Sequence, residues 1–218
     1  MNNKLVIGAL LFGAISTAQA ADPLSAWNDT AAKSAIEQWV QNATQQDRAT
    51  FIPPEHRYVV FYNDGTLWPE APLTFQLQFA VDEVKRLAPQ HPEWKNDPVL
   101  SAVLNDDLKT VAASGEKGLM QLLAVTHSDM TTEEFSKRVS QWVDNQRDKR
   151  FGCRYDSMGY QPMRQLLDYL RENGFKTWIV SGGGIDFMRV LTNKKYGIPP
   201  EQVVGSFSLS EFSLTDNG

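Results

Sequence analysis

Cysteine is nearly absent, Cys153 being the only one in 218 residues. A lone thiol can form no intrachain disulfide and cannot build a thiolate metal cage, so neither device holds this fold. Histidine is scarce as well. His56, His91 and His127 lack metal-ligand spacing and read as surface or structural residues. Positive charge is in deficit: 21 Lys and Arg against 26 Asp and Glu give a net −5, which leaves no electrostatic footprint for nucleic acid. Gly-Lys-Ser and Gly-Lys-Thr occur nowhere, so a P-loop is excluded. Beyond the first twenty residues no apolar run approaches the roughly 20 residues that a bilayer span requires. What is present suits a globular chain: hydrophobic residues make up 42% and charged residues 22%, which argues against wholesale disorder.

The N-terminus reads as a targeting segment. Lys4 supplies a positive start, Leu5 to about Ile15 an apolar stretch, and Ala18-Gln19-Ala20 a small-x-small cleavage site. Residues 1–20 are therefore expected to be a secretory signal peptide cleaved after Ala20. The mature protein would be periplasmic or secreted and would carry no membrane segment.

Two stretches carry chemistry. In the first, Val59 to Phe61 is an apolar β-run followed by Tyr62-Asn63-Asp64-Gly65-Thr66-Leu67-Trp68, and the acidic loop after a buried parallel strand is where open α/β sheets place ligands. Asn63-Asp64-Gly65 also fits a hairpin turn, but Leu67-Trp68-Pro69-Glu70-Ala71-Pro72 makes a poor returning strand. In the second, a helix over 161–172 ends at Asn173-Gly174. A strand from Lys176 to Ser181, a Gly182-Gly183-Gly184 loop and a helix from Ile185 to about Tyr196 follow. A hydroxyl at a strand end, next to bare backbone N–H groups, suits an anion such as phosphate. The dinucleotide fingerprint fails because position 187 is Phe.

Together these stretches resemble the haloacid dehalogenase (HAD) superfamily, the second most like its phosphoserine-phosphatase-type branch. The family writes its first motif as apolar-apolar-Asp-x-Asp-Gly-Thr, where the first Asp attacks phosphorus and the second is the general acid/base. Here Tyr62 fills the nucleophile position and Asp64 the second, with Gly65 and Thr66 behind. A phenol keeps its proton at neutral pH and is bulkier than a carboxymethyl group, so it neither attacks nor ligates Mg²⁺ well. Sliding the register would make Asp64 the nucleophile but would put Leu67-Trp68 where Gly-Thr belongs.

The resemblance implies an α/β fold, a Rossmann-like parallel sheet with a helical C1-type cap inserted after the first strand, C-terminally truncated relative to the family. The core would be 21–68 with 161–218, and the cap 69–160. It implies Asp64 as catalytic, Ser181, Gly182, Gly183 and Thr66 as phosphate-binding, and a small phosphorylated molecule as partner. Mg²⁺ is expected for the family but bound weakly or not at all here, with the Asp64 backbone carbonyl as a weak ligand. Lys194 and Lys195 lie too close to Ser181 to serve as the motif III lysine, and no acidic motif IV strand precedes Gly218. The expected activity is a phosphomonoesterase, catalytically impaired. The alternatives are a non-catalytic phospho-ligand-binding remnant and a degenerate product. Arg189 is a candidate local positive charge for the phosphate.

Periodicity predicts further helices from Ser25 to about Gln45 and over 73–88, 98–113, 116–126 and 132–148, the last opened by a Thr131-x-x-Glu134 capping box. Alternation from Val203 to Leu214 predicts a strand, and 215–218 a turn. The first two strands should lie side by side with Asp64 and Ser181 in one cleft, and the helical cap should touch the sheet little beyond its hinges.

Overall fold

A computed structural model of the chain describes residues 21–212. The expected leader and the 215–218 turn lie outside them. A helix α1 (Ala31–Thr44) leads to strand β1 (Tyr58–Phe61). Helices α2 (Phe75–Leu87), α3 (Pro98–Leu104), α4 (Leu108–Ala113), α5 (Gly115–His127) and α6 (Thr132–Asn145) follow. The chain then runs through α7 (Gln161–Glu172), β2 (Lys176–Gly184), α8 (Ile185–Tyr196) and β3 (Val203–Ser206). The sheet is parallel in the order β1-β2-β3, with Val59 opposite Thr177, Phe61 opposite Ile179, and Ile179 opposite Val203. This is the expected α/β architecture.

The departures from the sequence reading have local causes. The first helix begins at Ala31 because the preceding residues are tied to α7: Gln165 Oε1 accepts from the Ala26 N–H at 2.7 Å, and Trp27 Nε1 donates to the Pro162 carbonyl at 2.8 Å. The single helix expected over 98–113 breaks at Asn105-Asp106-Asp107. Asp106 takes a φ of 58° and Asp107 caps the second half through the Thr110 N–H, as residues whose side chains compete for backbone groups do. The glycine segment is no free loop, since β2 runs through it to Gly184 with an irregular register toward β3. The third strand stops at Ser206, well short of Leu214, and residues 207–212 are irregular and exposed. Glycine is required where β3 passes this segment, because a Cβ on Gly205 would sit 2.5 Å from the Gly183 carbonyl oxygen.

The helices expected to form a cap are not held off the sheet. Phe79 of α2 meets Phe135 (5.8 Å) and Trp142 (5.7 Å) of α6 and Phe187 (5.8 Å) of α8. One apolar cluster runs from these rings to Phe61, Ile179 and Val203 of the sheet. A second, smaller cluster, including Val84, Leu100, Val103 and Leu122, knits α2, α3 and α5 together. The capping box is present, with Glu134 N–H donating to Thr131 Oγ1 and Thr131 N–H to Glu134 Oε2. The opposite face of the sheet, bearing Tyr58, Val60, Tyr62, Val180 and Val204, is exposed.

Candidate active site

β1 delivers Tyr62, Asn63 and Asp64 to the C-terminal edge of the sheet, beside the end of β2. Gly65 turns the chain with a φ of 72°, and the Glu70 carboxylate lies where a Cβ would be, 2.5 Å from that position. The turn closes through Gly65 N–H to the Trp68 carbonyl (2.8 Å) and Thr66 N–H to the Asn63 carbonyl (3.1 Å). It returns toward the core with Leu67 and Trp68 buried, instead of pairing as a hairpin strand.

The two motif segments converge. A Cβ on Gly183 would lie 3.6 Å from Asp64 Oδ2 and 3.7 Å from Ser181 Oγ, and one on Gly182 would lie 3.5 Å from the Tyr62 hydroxyl. Asp64 and Ser181 therefore meet over Gly183, while the Tyr62 hydroxyl approaches Gly182 from the exposed face of the sheet. Ser181 is buried, and its oxygen accepts from the Gly183 N–H at 3.2 Å, which leaves its own O–H to donate. Thr66 is engaged within its turn. Arg189 is not part of the cleft, because its guanidinium donates to the Pro200 carbonyl (2.9 Å) and the Val203 carbonyl (3.4 Å), bracing the approach to β3.

Asp64 has a distinctive setting. Burial holds its carboxyl above the usual range; the Trp68 indole N–H, 2.6 Å from Oδ1, opposes this, and the charge of Glu70 adds to it. A carboxyl that keeps its proton to higher pH than usual suits a general acid. Tyr196 stands behind the turn that follows Asp64. Its hydroxyl donates to the Leu67 carbonyl at 3.1 Å, and burial raises its pKa well above the ordinary phenol value, the Arg164 charge opposing this and the Asp64 charge adding to it.

Sequence patterns did not reveal Glu70, Trp68 and Tyr196 as part of the site. Trp68 sits just past the motif, but its indole reaches back only because Gly65 reverses the chain, and Tyr196 arrives from the far end of α8. Asn63 is fully enclosed, with both amide atoms lacking a partner among the described residues. Two cavities of about 200 and 190 Å³ lie off this cleft around α7 and α8, sharing Arg164 and Lys195. Neither is lined by Asp64, Tyr62 or Ser181.

The haloacid dehalogenase-like hydrolase family is the class this fold and cleft define: its model matches residues 59–213, and the chain belongs to it. The structure is also similar to that of a phosphoserine phosphohydrolase-like protein from Francisella tularensis subsp. tularensis SCHU S4. That match has 15% identity, a TM-score of 0.39, and coverage of 68% of this chain and 57% of that one. This chain thus spans little more than half of that protein's length. No curated protein matches it.

Members of the family generally use Mg²⁺. The donor set on this cleft fits the ion poorly. Hard cations want several anionic or carbonyl oxygens. Here Tyr62 offers only a phenol, and one Asp64 oxygen is taken by the Trp68 indole. Among the described residues no group of three or more His, Cys, Asp or Glu could hold a metal.

Proposed function

We propose that this chain binds the phosphoryl group of a small phosphorylated molecule in the cleft of Asp64 and Ser181, as an exported phosphomonoesterase whose turnover is impaired at Tyr62. The observation that carries this is the convergence of Asp64 Oδ2 and Ser181 Oγ on Gly183. Parallel α/β sheets bind ligands at that edge. Ser181 has a hydroxyl proton to give a phosphoryl oxygen, Gly182 and Gly183 let an anion approach the backbone, and Asp64 can hold a proton for a leaving group. Impairment is supported by the phenol at the attacking position and by the sparse oxygen set, which points to weak or no Mg²⁺ binding.

With Mg²⁺ present, the mature protein should release nitrophenol from p-nitrophenyl phosphate no faster than its Asp64→Asn variant. Inorganic phosphate or vanadate should still raise the unfolding temperature, by an amount equivalent to about 2.7 kcal/mol at a hundredfold excess over Kd. Ser181→Ala should abolish that shift. Mg²⁺-dependent turnover lost in Asp64→Asn would show a working enzyme, and no shift with either anion would remove the ligand altogether. Export is tested by sequencing the N-terminus of the mature protein, which should begin at Ala21.

A further inference from the structure

A chain of hydrogen bonds crosses from the helical cap into the glycine segment, and its direction can be worked out. Thr126 Oγ1 donates its single proton to the Leu122 carbonyl at 2.7 Å. It must therefore accept from His127 Nδ1, 2.8 Å away, which puts the ring proton on Nδ1 and leaves Nε2 an acceptor. The partner of Nε2 is the Gln76 amide nitrogen at 3.2 Å, which donates. The Gln76 carboxamide oxygen is thereby turned toward the core, where it accepts the Gly184 N–H at 2.7 Å. Every donor and acceptor agrees, with neutral histidine at the centre. Burial, which takes the His127 pKa down to about 4, favours the same form. Gln76 also fits closely, its amide nitrogen lying 2.5 Å from where a Gly184 Cβ would be.

Gly184 ends β2 and caps α8, directly after the Ser181-Gly182-Gly183 segment. We propose that Gln76 is a positioning residue through which the helical cap and a bound oxyanion compete for one donor, the Gly184 N–H. This rests on the reading of the cleft as a phosphoryl site. Ligand binding at the glycine segment is then coupled to release of Gln76, and with it to loosening of α2 and α5 from the core.

The test uses inorganic phosphate as the probe, with Gln76→Ala and Gln76→Glu in the whole mature chain. Both substitutions suit the first turn of a helix. Alanine removes the competitor, so the Gly184 amide should exchange faster in the absence of phosphate. Phosphate should bind roughly two- to twelvefold tighter, the range of one net hydrogen bond. Glutamate keeps an acceptor on Gly184, now charged, with His127 taking up a proton on Nε2 to donate to its other oxygen, and should weaken phosphate binding. Opposite directions for the two variants support competition; a scaffolding role would weaken binding in both and overturns it. Faster Gly184 exchange in Gln76→Ala with unchanged phosphate affinity also overturns it, leaving the phosphoryl site standing. If neither wild type nor Gln76→Ala binds phosphate while Gly184 exchange still responds, the phosphoryl site itself is wrong and the competition falls with it.

Discussion

At the scale of single residues, Asp64 is under tension that its neighbours partly relieve. Its folded-state pKa lies above the unfolded value because burial and the Glu70 charge outweigh the Trp68 hydrogen bond. The folded state therefore holds the proton more tightly, and stability is lost as pH rises from the unfolded value through the folded one. Above the unfolded value, ionising this carboxyl costs more in the folded state than in the unfolded one. Asp64→Asn keeps an oxygen for the Trp68 indole and removes that cost, so it should raise the unfolding temperature at pH 7. The gain should vanish near pH 3, where the native carboxyl is already protonated; thermal unfolding at both pH values checks this. The letters around Asp64 and Ser181 disclosed the cleft because each motif is local, a strand end plus its next few residues. Glu70, Trp68, Tyr196 and Gln76 reach the cleft through a positive-φ turn, a whole helix length or an inserted helix, and no spacing rule encodes those paths.

Among elements, the boundary between helical cap and sheet was the least legible feature. Periodicity locates α2, α5, α6, α7 and α8 because each has an apolar stripe, but a stripe does not say which neighbour it meets. Phe79 settles the matter here by packing against rings of α6 and α8 at once. Phe79→Ala should cost about 3–5 kcal/mol, and urea unfolding should remain one transition because cap and core share that cluster. The break after Leu104 was hidden for a different reason: helical spacing persists through it, and only Asp106 in the left-handed region ends the run. Further along α5, His127 makes the fold sensitive to acid. Its folded pKa of about 4 lies below the ordinary 6.5, so its contribution is present above pH 6.5 and is lost as pH falls toward 4. That gap corresponds to about 3 kcal/mol as an upper scale. Urea unfolding between pH 7 and 4 should show this loss, and His127→Gln should flatten it.

For the whole molecule, the asymmetry of the sheet governs behaviour in solution. Parallel sheets are ordinarily covered on both faces, because their strands are apolar on both. Here the face packed against α8 is closed, while the other leaves Tyr58 at 51%, Val60 at 59%, Val180 at 44% and Val204 at 47% exposure. The strand register lines these residues up in rows, with Val60 beside Trp178 and Val180 beside Val204. Contiguous apolar surface of this kind binds hydrophobic dyes and promotes association. The Tyr58–Phe61 strand adds to this, since its outer edge pairs with nothing among the described residues. The purified protein should therefore enhance anilinonaphthalene sulfonate fluorescence while its near-ultraviolet circular dichroism reports a packed core, which separates a bare face from a molten state. Val60→Lys together with Val204→Lys places charges on rows that are already half in water, so the circular dichroism signal of packing should persist while the dye signal falls. Light scattering at micromolar concentration should fall in parallel. Dye binding that is absent from the wild type, or unchanged by the paired lysines, would mean that this face is covered in solution.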